Sequence, residues 1–211
     1  MIVTIDGLSG TGKSTVAYLL SERLRYKFLG SGFIYRLYAY NPSLFDSDQD
    51  IACKVNFELH DNSVHCFYQG DDLTDVLMSD SIAAKASAMA KERAVRERLV
   101  SVQKSFKNQV GLVAEGRDMG TVIFADADYK FYLVCSSTIR AKRRVKQLKS
   151  IGIHASLSEV ESQIVLRDHQ DQNREISPAV SAEDAMTIDV SHLSIDEVLT
   201  KIHAVIDKGM P

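Results

Sequence analysis

Residues 1–15 read MIVTIDGLSGTGKST. The run Ile2–Ile5 is short, apolar and β-branched, the composition of a strand buried on both faces of a parallel sheet. Directly behind it, Gly7–Ser14 fit G-x-x-x-x-G-K-[ST] in full. A helical pattern follows, with Val16, Leu19, Leu20 and Leu24 on one side of a helix predicted over Thr15–Arg25. Strand, glycine loop and helix in that order is the context the motif requires. Glycines let backbone N–H groups curl around phosphate oxygens. Lys13 can bridge β- and γ-phosphates, and the Ser14 hydroxyl can ligate Mg²⁺. The positive end of the helix, near Lys13, favours the same anion. Gly7, Leu8, Ser9, Gly10, Thr11, Gly12, Lys13, Ser14 and Thr15 are therefore expected to bind a nucleoside triphosphate.

The rest of the chain repeats the alternation. Strands are predicted at KFLGSG (27–32, ending in a glycine loop), GLVAEG (111–116), YKFYLVC (129–135) and DAMTIDV (184–190). Helices are predicted over 81–107, 136–150, 157–174 and from Ser194 to Gly209. Ser194 is the N-cap of the last, and Glu197 three residues on completes a capping box. Strand, loop, helix, repeated, implies a doubly wound, five-stranded parallel sheet of the α/β class, with ligands at the carboxyl ends of its strands. One stretch breaks the pattern. From Val55 to Leu77 the apolar residues alternate with period two, and HDNS (60–63) makes a turn between the arms. It is expected to be a small antiparallel subdomain inserted in a single domain spanning 1–211. The core would comprise 1–30, 85–145 and 175–211, the insertion-bearing region 31–84, and a lid about 146–160.

The 211 residues are 45% hydrophobic and 25% charged, with a formal net charge of −3. That fits an ordinary globular domain and argues against a general nucleic-acid coat. Three cysteines and no C-x-x-C argue against a disulfide framework or a cysteine zinc lid. No apolar run approaches a membrane span and no signal peptide is seen, so a cytoplasmic protein is expected. No apolar stripe is left over after the core helices, so a monomer is expected.

A phosphate loop alone names no reaction. No N-K-x-D guanine signature is present, which counts against a switch GTPase. A small-molecule kinase needs further arginines, and they exist. SGFIYR places Arg36 just past the second strand, and GRDMGT places Arg117 and Asp118 at the end of the third. RDHQDQNR puts Arg167, Asp171 and Arg174 at i, i+4 and i+7, on one helical face. Guanidinium forks suit phosphate and a carboxylate suits ribose hydroxyls. The stretch Arg140–Lys149 holds six cations and no acid, which on its own also suits a solvated face or an RNA-contacting patch.

Taken together, IDGLSGTGKST, SGFIYR, EGRDMGTVIFADA, SSTIRAKRR, RDHQDQNR and DAMTIDVSHLS resemble the bacterial cytidylate kinases, in the family's order and at near-family spacing. The resemblance covers most of the chain, and GRDMGTV is its most diagnostic piece. It implies transfer of a phosphoryl group from ATP, with Mg²⁺, to CMP or dCMP. It makes 31–84 the monophosphate-binding region. Ser87, Arg96 and Asp118 would read the cytosine, Asp118 at its N4 amine. Arg36, Arg117 and Arg174, with Ser31 and Tyr35 of the SGFIYR element, would hold the CMP phosphate side. Arg167 and Asp171 would hold the ribose. Arg140, Arg143 and Arg144 would open the lid and approach the ATP phosphates. Lys13, Arg117, Arg174, Arg140 and Arg144 would be the catalytic cations. Neither nucleic acid nor membrane is an expected partner. The sequence departs from the family at Leu8, Glu115 and Ala125, where the family usually has proline, aspartate and proline, and the segment 38–50 is shortened. A kinase for UMP, AMP or a sugar acid, and an ATP-binding RNA-contacting module, are the alternatives.

Overall fold

The computed structural model describes residues 1–46, 51–107, 110–150 and 152–209. The last four residues of the shortened 38–50 segment, and Ile151 of the expected lid, lie outside them. Strand β1 (Ile2–Gly7) is buried at every position. Helix α1 (Lys13–Leu24) returns along the sheet, with Val16, Ala17 and Leu20 turned inward, and leads to β2 (Lys27–Gly30). No glycine loop follows β2. Helix α2 (Ser31–Tyr40) starts at once, and a side chain at Gly30 would stand 2.9 Å from the Phe33 ring. A 3-10 turn over Pro42–Phe45 and a single-turn helix α3 (Ile51–Lys54) bring the chain to the insertion.

The insertion is a separate antiparallel sheet of β3 (Val55–His60), β4 (Ser63–Tyr68) and β5 (Asp71–Asp72). Asp61 and Asn62 both have positive φ, 48° and 61°, so the hairpin closes through the two-residue turn whose twist matches its strands. The inward positions Val55, Phe57, Val64 and Cys66 are buried, as period-two alternation requires. The third strand and the short helix α4 (Thr74–Met78) have too few residues to show a period in the sequence.

The stretch read as one helix over 81–107 is two, α5 (Asp80–Met89) and α6 (Arg93–Lys104). The break at Ala90–Glu92 frees the Ala90 carbonyl to accept from Arg96 Nη1 at 3.2 Å. Strand β6 (Leu112–Gly116) is wholly buried and feeds a π-helical turn, Met119–Ile123, before β7 (Tyr129–Val134). Helices α7 (Ser137–Ser150) and α8 (Leu157–Gln172) pack on each other, and β8 (Met186–Asp189) and α9 (Ile195–Lys208) finish the fold. Helix α8 stops short of Arg174. The Asn173 N–H closes on the His169 carbonyl, and the Ala179 N–H returns to the Asp171 carbonyl at 2.8 Å. The capping box of Ser194 and Glu197 is present.

The main sheet is parallel throughout, in the order β2-β6-β1-β7-β8. Its central strand β1 therefore delivers Gly7 and the phosphate loop to the middle of the carboxyl edge. Phe57 joins the insertion to this core, with ring centroids 5.0 Å from Phe28 and 5.7 Å from Phe33. No helix among the described residues is long and apolar enough to cross a membrane.

Phe57→Ala is expected to lower the unfolding free energy by about 3–5 kcal/mol, since it opens a cavity between the insertion and the sheet. Urea denaturation measures it. A loss below about 1 kcal/mol would mean the insertion is not held through this ring.

Candidate active site

A cavity of about 400 Å³ opens at the carboxyl ends of β1, β2 and β6. Ser9, Gly10, Gly12, Lys13, Ser14 and Thr15 line one side, while Gly7, Leu8 and Thr11 form the loop behind them. Gly10 and Gly12 have φ of 78° and 88°, the left-handed region that side chains resist, and this conformation bends the loop into the start of α1. The loop is braced by its own side chains. Thr11 Oγ1 donates to the Leu8 carbonyl at 3.1 Å and Lys13 Nζ to the same carbonyl at 3.2 Å.

Lys13 is buried with Nζ 3.9 Å from Glu115 Oε2. Burial, followed by the positive charge of Arg117, pulls its ammonium down to about 7. Ser14 Oγ donates to Glu115 Oε1 at 3.0 Å. A hydroxyl and a carboxylate side by side at the mouth of a phosphate loop are a hard-oxygen donor set, and they fit a Mg²⁺ ion that takes its remaining ligands from phosphate and water. Thr15 Oγ1 donates to the Asn62 carbonyl at 3.1 Å, which brings the turn of the inserted hairpin to the rim of the loop.

All ten residues expected to touch the acceptor line the same cavity: Ser31, Tyr35, Arg36, Ser87, Arg96, Arg117, Asp118, Arg167, Asp171 and Arg174. Helices α2, α5, α6 and α8 deliver them together with the segments that follow β6 and α8. Arg96 and Asp118 form a buried ion pair, with the Arg96 guanidinium 5.7 Å from the centre of the Tyr35 ring. The Tyr35 hydroxyl is buried without a hydrogen-bond partner, and burial pushes it up to about 12. Ser31 Oγ donates to Gln103 Oε1 at 2.7 Å. Arg36 donates to the Leu77 carbonyl at 3.5 Å and touches Met78 Sδ; burial brings it down to about 10. Burial lowers Arg167 and Arg174 as well, and Arg167 Nε has no partner.

The Arg167, Asp171, Arg174 trio does not lie on one helical face. Arg174 follows the end of α8 and donates through Nε to the Ser177 carbonyl. Asp171 Oδ2 accepts from Arg117 Nε at 3.0 Å, so its ion partner comes from the turn after β6. Arg140 and Arg144 lie outside the lining. Arg140 is buried beneath the phosphate loop, where it pairs with both oxygens of Asp168, at 3.0 and 2.5 Å, and donates to the Ser9 and Cys135 carbonyls. Its stem packs 3.6–3.7 Å from where a side chain on Gly10 would begin. Arg144 reaches Gln147 Oε1 at 3.0 Å, and Gln147 lines the cavity. Arg143 donates to the Val190 carbonyl at 3.1 Å.

One acidic residue beside the site escaped the sequence reading. Asp6, one position before the loop, is 4% exposed. Its Oδ1 accepts from the Met119 N–H at 3.0 Å and its Oδ2 from the Gly120 N–H at 2.7 Å. Burial pushes its carboxyl up to about 7 in spite of those two donors.

A parallel α/β sheet with a phosphate loop facing a cluster of arginines defines a nucleotide-binding phosphotransferase. The sequence model of the cytidylate kinases matches residues 3–208. A cytidylate kinase of Azotobacter vinelandii is 38% identical over 215 residues, covering 96% of this chain and 93% of the relative. Cytidylate kinase 1 of Haemophilus influenzae is 38% identical over 217 residues, covering 99% and 94%. The chain belongs to the cytidylate kinase family, a family of ATP-dependent phosphotransferases. Solved structures agree on the fold. A protein of Eubacterium ventriosum superposes with a TM-score of 0.56 at 16% identity, covering 99% of this chain and 98% of that one. TT1252 of Thermus thermophilus superposes at 0.51 and 15%, covering 99% and 97%.

Two measurements follow from this geometry. With its ammonium pulled down to about 7, Lys13 is expected to gain a proton when a triphosphate binds at pH 8. Nucleotide binding is therefore expected to take up protons, seen by calorimetry in buffers of different ionisation enthalpy; release, or no transfer, would contradict the buried-lysine reading. Arg140→Met strands the carboxylate of Asp168 and is expected to cost about 3–5 kcal/mol in denaturant titrations. A cost under 1 kcal/mol would mean that the pair beneath the loop is not a structural brace.

Proposed function

We propose that the protein transfers the γ-phosphoryl group of ATP to CMP or dCMP, giving ADP and CDP or dCDP. The observation that carries this reading is the buried Arg96–Asp118 pair lining the same cavity as Lys13, with Ser87 and the unpartnered Tyr35 hydroxyl. A fixed carboxylate accepts from the cytosine N4 amine, and a fixed guanidinium donates to the acceptor atoms of the ring. A uracil, which has a carbonyl in place of the amine, would face Asp118 acceptor to acceptor.

Arg36, Arg117 and Arg174 hold the CMP phosphate. Arg167 and the free Oδ1 of Asp171 hold the ribose, while Oδ2 keeps Arg117 aligned. Ser31 is bound to Gln103 and aligns the start of α2. Lys13 and the loop amides hold the β- and γ-phosphates. Ser14 and Glu115 would hold Mg²⁺, which would supply neutralisation of phosphate charge. Arg144 and Gln147 border the donor side, and Arg140 supports the loop from below. The lid of about 146–160 closes over the donor and excludes water. No general base is assigned, because the attacking group is already a phosphate oxyanion. Acceleration comes from alignment and charge neutralisation. A monomer in the cytoplasm completes the proposal. The RNA-contacting alternative loses ground because Arg140 and Arg143, two of its six cations, are committed to internal partners.

An ADP-release assay with Mg·ATP and CMP, dCMP, UMP, AMP or no acceptor tests the reading. CMP and dCMP are expected to turn over about 5- to 100-fold more efficiently than UMP, since one mispaired buried polar group is worth about 1–3 kcal/mol. Ser87→Ala is expected to narrow that preference. Equal rates with UMP would remove the base-reading role of Arg96 and Asp118, and acceptor-independent ADP release would remove the transfer itself.

A further inference from the structure

We propose that Asp6 is a positioning residue for the acceptor side of the transfer: its carboxylate holds the turn that carries Arg117 and Asp118 in register with the phosphate loop. This deepens the functional reading above and rests on its assignment of Arg117 and Asp118 to the acceptor.

The sheet order makes such a device necessary. Strand β1 lies between β6 and β7, so the chain leaving β6 must cross the carboxyl end of β1 before it can enter β7. The crossing segment carries Arg117 and Asp118 and then the π-helical turn Met119–Ile123. At the crossing it meets Asp6, the last residue of β1 before Gly7. One carboxylate oxygen takes the Met119 N–H and the other takes the Gly120 N–H. Two adjacent backbone donors on two oxygens of one group fix both the distance and the rotation of the turn.

The fit leaves no slack. A side chain at Gly120 would stand 2.9 Å from Thr4 Oγ1 and 3.4 Å from Asp6 Oδ2. Glycine there lets the turn lie directly against Thr4 of β1. Asp6 does not line the cavity. It acts through what it holds, and it joins the loop that binds the donor to the turn that meets the acceptor. Its charged neighbours are Asp118, which opposes its ionisation, and Lys13, which favours it.

Asp6→Asn keeps the shape and removes one acceptor. The side-chain amide then meets a backbone N–H donor to donor, and the turn must shift to relieve it. A shift of about 1 Å in reacting groups costs on the order of a hundredfold in rate. The expected result is a loss of 10- to 100-fold in kcat/KM for CMP, with KM for ATP changed by less than about threefold. The same substitution made on an Asp118→Asn background should cost less than it does alone, because both act through one turn. Equal changes in both KM values, unchanged kinetics, or full additivity would overturn the proposal, leaving Asp6 a brace for the fold only. In wild-type protein, through-hydrogen-bond coupling from the Met119 and Gly120 amide nitrogens to the Asp6 carboxyl carbon should be detectable by NMR, whether or not the variant folds. Its absence would overturn the proposed hold on the turn. If wild-type protein fails to phosphorylate CMP while that coupling is present, the functional reading falls and the anchoring of the turn stands.

Discussion

Six cations and three carboxylates line one partly dry cavity, in a chain whose formal net charge is −3. Their mutual repulsion is the condition the rest of the molecule accommodates. Burial holds Lys13, Arg36, Arg167 and Arg174 below their ordinary values, and for the first three a neighbouring arginine adds to it. Such an excess of buried positive charge favours an anionic ligand.

Carboxylates within the cluster and beside it hold it in place, each taking donors from another element. Asp168 on α8 holds Arg140, which in turn takes the Ser9 carbonyl. Asp171 holds Arg117. Asp118 holds Arg96. Asp6 holds two backbone amides of the turn after β6. These contacts tie the phosphate loop, the acceptor turn and the helix pair α7–α8 into one frame. The inserted hairpin and α4 approach the cavity without such a tie, through the Thr15–Asn62 hydrogen bond and the contacts of Arg36 with Leu77 and Met78.

The phosphate loop was legible because its motif is contiguous: nine successive residues form it. The strands at 111–116 and 129–135 and the hairpin at 55–68 were legible from their periods. Ser87 and Arg96 were not legible as site residues from the chain itself, where they look like ordinary helix positions. Only their place in a family pattern marked them. Asp6 was visible only as part of the loop stretch IDGLSGTGKST and had no role marked for it, since a lone acid before a glycine loop has no period and no spacing to a partner. Its partners are 113 and 114 residues away. Arg140, expected from the resemblance to approach the ATP phosphates, is buried beneath the loop, where a carboxylate on the neighbouring helix receives it.

The local sequence alone settled what depends on neighbours along the chain: the glycine-permitted bend at Gly10 and Gly12, the strand–loop–helix unit around it, the turn at Asp61–Asn62, and the cap at Ser194. Tertiary structure decided everything that depends on which strands lie side by side. Because β1 is central, the chain leaving β6 must pass over Asp6. Because α8 packs on α7, Arg140 is a brace and Asp171 faces Arg117. Charge pairing at a distance is set by sheet order and helix packing, and neither is written in the spacing of residues within any one segment.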